Sequence, residues 1–195
     1  MKAFVKPAEQ NNLTTPAKSA LGGSVGKLSS ITKKFINEVG KDYPDFKIER
    51  GKQEHWSPKS NTITFNPDQT PERVRFSVLH ELAHAILSHT NYQSDLELLK
   101  MESEAWRLAS QIGLKYGVTI SEDHIQNCLN TYRDWLHKRS TCPNCGLRVL
   151  QQNTTIYRCF NCQQEWRVST GRFVRPYRLS INKKQYTNNR KTKSN

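Results

Sequence analysis

The chain has 195 residues, 35% of them hydrophobic, and a formal net charge of +13. That length fits one modest domain plus a small one, and the low apolar content leaves part of the chain outside a globular core. No stretch approaches the ~18 apolar residues of a membrane span, Met1–Gln10 lacks the apolar segment of a secretory signal, and the five cysteines are not a secreted disulfide set.

Charge is segregated along the chain. Residues 1–34 carry six Lys/Arg against Glu9 alone, residues 35–140 carry 13 basic against 15 acidic, and residues 141–195 carry 11 basic against Glu165 alone. A near-neutral middle between basic ends implies a polyanionic partner for the ends.

Residues 1–27 mix Asn, Thr, Ala, Ser, Gly and Lys with little periodicity, which reads as a disordered basic arm. Leu28, Ile31, Phe35, Ile36 and Val39 then recur at helical spacing, with Ser29 or Ser30 as cap and Gly40 as stop. Short strands are predicted at Phe46–Ile48 and around His55–Trp56. Thr62–Phe65 alternates in β-branched and aromatic residues and stops at Asn66–Pro67. The Pro boundary predicts an edge strand flanking the next helix, able to hold an extended peptide by strand addition.

That helix opens at Thr70 as N-cap, with Pro71 at the first position and Glu72 complementing the dipole. Val74, Val78, Leu79, Leu82, Ala83, Ile86 and Leu87 recur at helical spacing, and His80 and His84 project from the less apolar side with Ser77. The run His80-Glu81-Leu82-Ala83-His84 is the H-E-x-x-H pattern of zinc hydrolases. Positions i and i+4 share a helix face, so two imidazoles can bind one Zn²⁺ at about 2.0–2.1 Å. Glu81 stands beside that metal, where it can take a proton from a bound water. A pair of ordinary core histidines is the alternative, and the full signature on a capped helix favours the metal.

After the polar break Thr90–Ser94, Asp95–Tyr116 reads as a long helix with Leu98, Met101, Ala105, Leu108, Ala109 and Ile112 as its stripe and Gly117 at its end. Ser121-Glu122-Asp123 opens another helix carrying Ile125, Leu129, Tyr132, Trp135 and Leu136. This order suits a small zincin-like α+β domain. A hydrolytic zinc has three protein ligands and an open position. Glu102 and Glu104 are the candidates for the third, and because i and i+2 point in different directions only one faces the metal. Periodicity leaves the choice open.

Further on, Cys142-x₂-Cys145-x₁₃-Cys159-x₂-Cys162 has the spacing of a four-cysteine structural zinc. Pro143 and Gly146 support the first turn, and Arg148–Leu150 and Thr155–Tyr157 are predicted as hairpin strands. Four thiolates close the coordination shell, so this zinc folds the module and hydrolyses nothing. A redox C-x-x-C pair is the weaker alternative, and Cys128 reads as a small buried hydrophobe. Basic residues here, among them Arg158, Arg167, Arg172, Arg175 and Arg178, alternate with aromatics such as Tyr157, Phe160, Trp166 and Phe173. Phosphate neutralisation and base stacking follow from that pattern, against a bland reading as a solubilising tail.

The strand Ile63–Asn66, the run Arg75–Leu79, the H-E-x-x-H and the segment Glu102-Ser103-Glu104-Ala105 followed by Ala109 together resemble the ImmA/IrrE family and the metallopeptidase domain of ArdC-like antirestriction proteins, both gluzincin-type. The resemblance covers roughly residues 60–115. It implies a zinc metallopeptidase and puts the third ligand at Glu102, with Glu104 the runner-up. Trp106 then occupies a position often held by Asp or Asn, a departure that leaves the group orienting the ligands unassigned. His89 falls one residue later than a histidine that often follows the motif, and reads as an exposed helix-end residue. SprT-like proteases share the order of protease and zinc ribbon but take a third histidine from an H-G segment, which this chain lacks.

The expected protein is therefore α+β: a basic arm over 1–27, a zincin-like metallopeptidase domain over 28–139, a zinc ribbon over 140–170 and a basic tail over 171–195. One catalytic Zn²⁺ sits on His80, His84 and Glu102 with Glu81 as general base, and one structural Zn²⁺ on Cys142, Cys145, Cys159 and Cys162. The expected substrate is a DNA-associated protein, reached through nucleic-acid contacts of the basic C-terminal region, in the reducing cytoplasm or at its nucleoid. The alternative is a non-catalytic nucleic-acid-binding protein with a vestigial protease site. The intact Glu81 argues against it, since a purely structural zinc has no use for that carboxylate.

Overall fold

The computed structural model describes residues 28–153, 155–169 and 178–181. It divides into two units: one holds the described residues up to Asn91 together with Met101–Ile125, the other Tyr92–Lys100 and the described residues from Gln126 onward. The protein is α+β, with four helices and two three-stranded sheets among the described residues.

The first unit begins with α1 (Ser30–Asp42), capped by the Ser29 hydroxyl accepting from the Thr32 amide. Three short strands follow, β1 (Lys47–Arg50), β2 (His55–Ser57) and β3 (Thr62–Phe65). Their order is β1-β3-β2, with β3 parallel to β1 and antiparallel to β2. The expected edge strand is thus the central one. Pro67 lies beyond the last paired residue, so it removes no ladder donor and marks where the strand stops, not which side is open. Any open edge belongs to β1 or β2, and strand addition to β3 is ruled out because both its sides are paired.

Helix α2 (Pro71–Ile86) starts as its sequence dictates, with Thr70 Oγ1 accepting from the Arg73 amide and Pro71 in the first turn. Every residue from Val78 to Ala85 is buried, including both histidines and Glu81. The helix packs against α1, β2 and β3, and the buried apolar residues of this unit include Phe35 and Val39 of α1, Trp56, Ile63 and Phe65 of the sheet, and Met101, Ala105 and Ala109 of α3 (Asp95–Lys115). Gly113 on α3 is constrained by the chain that follows. A Cβ there would lie 2.6 Å from the Val118 carbonyl oxygen, the same oxygen-bearing segment whose amide bonds to Gly113 O at 2.9 Å. Helix α4 (Glu122–Ser140) opens with Ser121 Oγ accepting from the His124 amide.

The second unit is built around the sheet β4 (Ile156–Arg158), β5 (Glu165–Val168) and β6 (Arg178–Ile181), antiparallel throughout. This corrects the hairpin expected from sequence. Arg148–Leu150 is not a strand: Arg148 makes an isolated bridge to Thr141, and the partner of the Ile156 strand is β5. The second knuckle sits between β4 and β5 and turns the chain back, while before it only an isolated antiparallel bridge, Gln151 to Tyr157, stands where the hairpin was expected. The core of this sheet is Val149, Tyr157, Trp166 and Val168 with Cys142 and Cys159. Tyr157 and Trp166 pair across the strands, their rings stacked at 5.5 Å.

A buried polar network completes this unit. Asp95 Oδ2 accepts from Arg139 Nε at 2.7 Å and from the Tyr157 hydroxyl. Arg139 also donates to the Ser169 carbonyl, lies 4.2 Å over the Trp135 ring, and its own carbonyl accepts from Trp166 Nε1 at 2.9 Å. Burial, and then the bond to Asp95, push the Tyr157 phenol well above its ordinary range. No helix among the described residues is long and apolar enough to cross a membrane.

Candidate metal centres

One turn of α2 sets the first centre. His80 Nε2 and His84 Nε2 face each other at 3.1 Å, as the four-residue spacing requires. Glu102 enters from α3, with Oε2 3.2 Å from His80 Nε2 and Oε1 3.7 Å from His84 Nε2. All three side chains are buried, and their donor atoms lie within 4.8 Å of one another. Glu81, on the same turn, is 1% exposed.

Glu104 points elsewhere. Its carboxylate is more than a third exposed and lies 3.8 Å from His89 Nε2. His89 itself is not the exposed helix-end residue expected from sequence. Its side chain is 10% exposed, with Nδ1 2.9 Å from His84 Nδ1. The reason is the helix end: Ser88 takes a left-handed φ of 54°, and the chain folds back so that the His89 amide bonds to the His84 carbonyl at 2.9 Å. Burial, and next the His84 ring, push His89 below the ordinary histidine range, while Glu104 and Glu102 pull the other way.

Trp106 fills the position where an orienting carboxylate or amide was expected. Its ring stacks on His80, centroids 4.0 Å apart and planes 27° from parallel. His124 of α4 packs edge-on against both Trp106 and Phe76, at 5.3 and 4.8 Å. Nothing in the spacing of Trp106, His124 or Phe76 marks them as neighbours of a site, because they converge only through tertiary packing.

Two imidazole nitrogens and a carboxylate oxygen, all buried and converging, are the donor set of a hydrolytic zinc site. Neutral imidazoles whose Nε2 atoms meet can share at most one proton, and a buried carboxylate beside them calls for a cation. The residues present therefore fit Zn²⁺.

A family model matches residues 42–175, that of the Peptidase_M78 IrrE N-terminal-like domain. The chain belongs to this family. Membership supports a zinc metallopeptidase-like function. No curated protein and no solved structure matches it.

The second centre of this IrrE-like chain lies in the other unit, within the same matched span. The sulfurs of Cys142, Cys145, Cys159 and Cys162 all lie within 4.8 Å of one another. Cys142 and Cys162 are 3.6 Å apart and Cys145 and Cys159 3.5 Å. These separations exceed the about 2.05 Å of a disulfide and approach the about 3.8 Å edge of a thiolate tetrahedron around zinc. The two knuckles are alike. In each, the residue four past the first cysteine bonds its amide back to that cysteine's carbonyl at 3.0 Å with a left-handed φ, 74° at Gly146 and 62° at Gln163. Only the first uses the glycine that this conformation favours. Hydrogen bonds from the Asn144 side chain and the Gln164 backbone pull the Cys162 thiol down to about 6, whereas burial pushes Cys142 up to about 11.

The arginines singled out in the sequence separate. Arg158 and Arg167 share the outward face of the sheet, since Arg167 stands opposite Ile156 and Leu179. Arg158 bonds Gln163 and approaches Glu165 at 3.7 Å. Arg178 stands opposite Val168 and donates to the Thr141 carbonyl at 2.9 Å. Arg172 and Arg175 lie outside the described residues, as do the basic arm and most of the basic tail.

Proposed function

We propose that this chain is a zinc-dependent metallopeptidase that cuts a protein associated with DNA. The observation carrying the proposal is the buried meeting of His80, His84 and Glu102 on the turn that also holds Glu81, in a member of a peptidase family. His80, His84 and Glu102 would hold Zn²⁺ through the atoms that already face one another. The metal would supply Lewis acidity to the scissile carbonyl and to a water molecule.

The remaining steps belong to the protein. Glu81 takes one proton from the attacking water and returns it to the amide nitrogen as the C–N bond breaks. The water oxygen ends on the new carboxylate and its proton on the new amine. Burial of Glu81 keeps solvent from competing for that proton.

In this reading residues 28–139 are the catalytic domain, and the ribbon over 140–170 and the tail over 171–195 deliver it. Cys142, Cys145, Cys159 and Cys162 hold a structural Zn²⁺, and Arg158, Arg167, Arg172, Arg175 and Arg178 contact phosphates. The reducing cytoplasm, where thiolates persist, is the proposed compartment. The family resemblance favours a DNA-bound repressor as substrate; a restriction, replication or DNA-crosslinked protein is the alternative the ribbon suggests.

The test is Glu81→Gln. With zinc retained, cleavage of the chain itself or of a DNA-bound protein should disappear. Unchanged cleavage would leave only a nucleic-acid-binding protein with a vestigial site. DNA binding, measured separately, should weaken steeply as salt rises.

A further inference from the structure

We propose that His89 is a positioning residue for the first metal centre, backed by Glu104, and that it decides which nitrogen of His84 faces the metal. The proposal rests on the zinc reading given above and concerns residues outside its ligand set.

The argument is one of proton placement. His84 Nε2 turns toward His80 and Glu102, so the metal-facing lone pair must be on that atom. A neutral imidazole then carries its proton on Nδ1. That nitrogen lies 2.9 Å from His89 Nδ1, which must accept, leaving the His89 proton on Nε2. His89 Nε2 is the nitrogen turned toward Glu104, 3.8 Å from its carboxylate. At this distance the carboxylate acts on the N–H through its charge, not as a direct hydrogen-bond partner. The order His84 Nδ1–H to His89 Nδ1, then His89 Nε2–H toward Glu104, is the only one that leaves His84 Nε2 available.

The backbone is arranged for this contact. Ser88 holds a left-handed conformation that a non-glycine residue adopts only at a cost. In return the His89 amide closes on the His84 carbonyl, which brings the second ring against the first. The segment Glu102-Ser103-Glu104 thus serves the His84–His89 pair at both ends: Glu102 near His84 Nε2 and Glu104 near His89 Nε2. His80 is held differently, by stacking on Trp106.

Losing a group that orients a zinc-bound histidine typically lowers metal affinity about 10–100-fold. The experiment is zinc affinity by chelator competition on the full chain. Wild type should hold two Zn²⁺, one of them lost in His80→Ala, which secures the zinc reading independently. His89→Phe keeps the ring's shape without an acceptor, and should weaken that zinc about 10–100-fold with the cysteine-bound zinc unchanged. His89→Gln, whose side-chain oxygen can accept the Nδ1–H, should recover most of the loss, and Glu104→Gln should cost less than about tenfold. With Co²⁺ in the site, the visible band should shift in His89→Phe and return toward wild type in His89→Gln. Wild-type affinity and spectrum in His89→Phe would overturn the proposal while leaving the zinc reading intact. A wild-type chain with only the cysteine-bound zinc would overturn both.

Discussion

The two candidate metal centres, both fitted to zinc, differ in what surrounds them. At His80, His84 and Glu102, three side chains converge inside a unit whose core is already supplied by two helices' worth of Val, Leu and Phe around α2. At the ribbon, two of the six core residues are themselves zinc-ligand candidates, Cys142 and Cys159. Three donors leave a coordination position open for chemistry, and four thiolates leave none. The difference teaches where stability should depend on metal. The first unit has an apolar core of its own, whereas the small ribbon core is expected to depend on a metal cross-link.

Cys159→Ser should have the largest effect. Structural zinc in small modules contributes about 10–16 kcal/mol of apparent binding free energy. Losing a fully buried ligand should release that zinc and abolish the Tyr157–Trp166 stacking signature in near-ultraviolet circular dichroism. His84→Ala should release the other zinc and leave that signature in place. If both variants unfold alike, the contrast between the centres is wrong.

Glu81→Gln comes next and separates chemistry from metal binding. Removing a general acid–base group typically costs about 10²–10⁴-fold in rate. Zinc content should stay at the wild-type value, since Glu81 is outside the converging donor set. This experiment has no counterpart at the ribbon, where among the described residues no carboxylate joins the four sulfurs.

Asp95→Ala ranks third and tests whether zinc alone sustains the ribbon. Asp95 anchors Arg139 and Tyr157, both buried. Breaking a buried ion pair by removing one partner costs about 3–5 kcal/mol, because a charge is left uncompensated. A lowered unfolding midpoint with zinc still bound is the expected outcome. An unchanged midpoint would mean the cysteines hold this unit without the network.

These contrasts were unevenly legible in the sequence. The helix of His80 and His84 could be read almost to the residue, because Thr70, Pro71 and the apolar period are all local signals. The cysteine spacing was equally local. The sheet order was not, since a proline after Phe65 says where a strand stops and nothing about its neighbours. The choice between Glu102 and Glu104 needed the packing angle of α3, which no periodicity contains. Asp95 marks only the start of a helix in the sequence, and nothing local singles out Arg139 near the end of the next one; only the fold turns them into a buried pair. His89 was misread because its return to His84 depends on the left-handed Ser88, a conformation that serine does not advertise.

The smallest effect is expected at Asp42 in the first unit, and it sharpens the claim that this unit stands without its metal. Asp42 at the end of α1 accepts from the Tyr116 hydroxyl at 2.7 Å and pairs with Lys115 at 2.9 Å. Tyr116 first, and Lys115 next, hold the Asp42 carboxyl below its ordinary 3.8. A carboxyl whose folded pKa lies below its unfolded one stabilises the fold above the unfolded value, and that contribution is lost as pH falls through the folded one. Zinc ligands compete with protons at higher pH than this, because imidazole and thiol take up protons before an ordinary carboxylate does. Acid titration should therefore release both zincs before the Asp42 tether lets go. In Tyr116→Phe the Asp42 carboxyl, followed by NMR, should titrate closer to 3.8, and the acid unfolding of the first unit should begin at slightly higher pH. Zinc release should not move. Helix signal from the first unit that vanishes together with its zinc, in wild type and variant alike, would show that the metal and not the packing holds this unit.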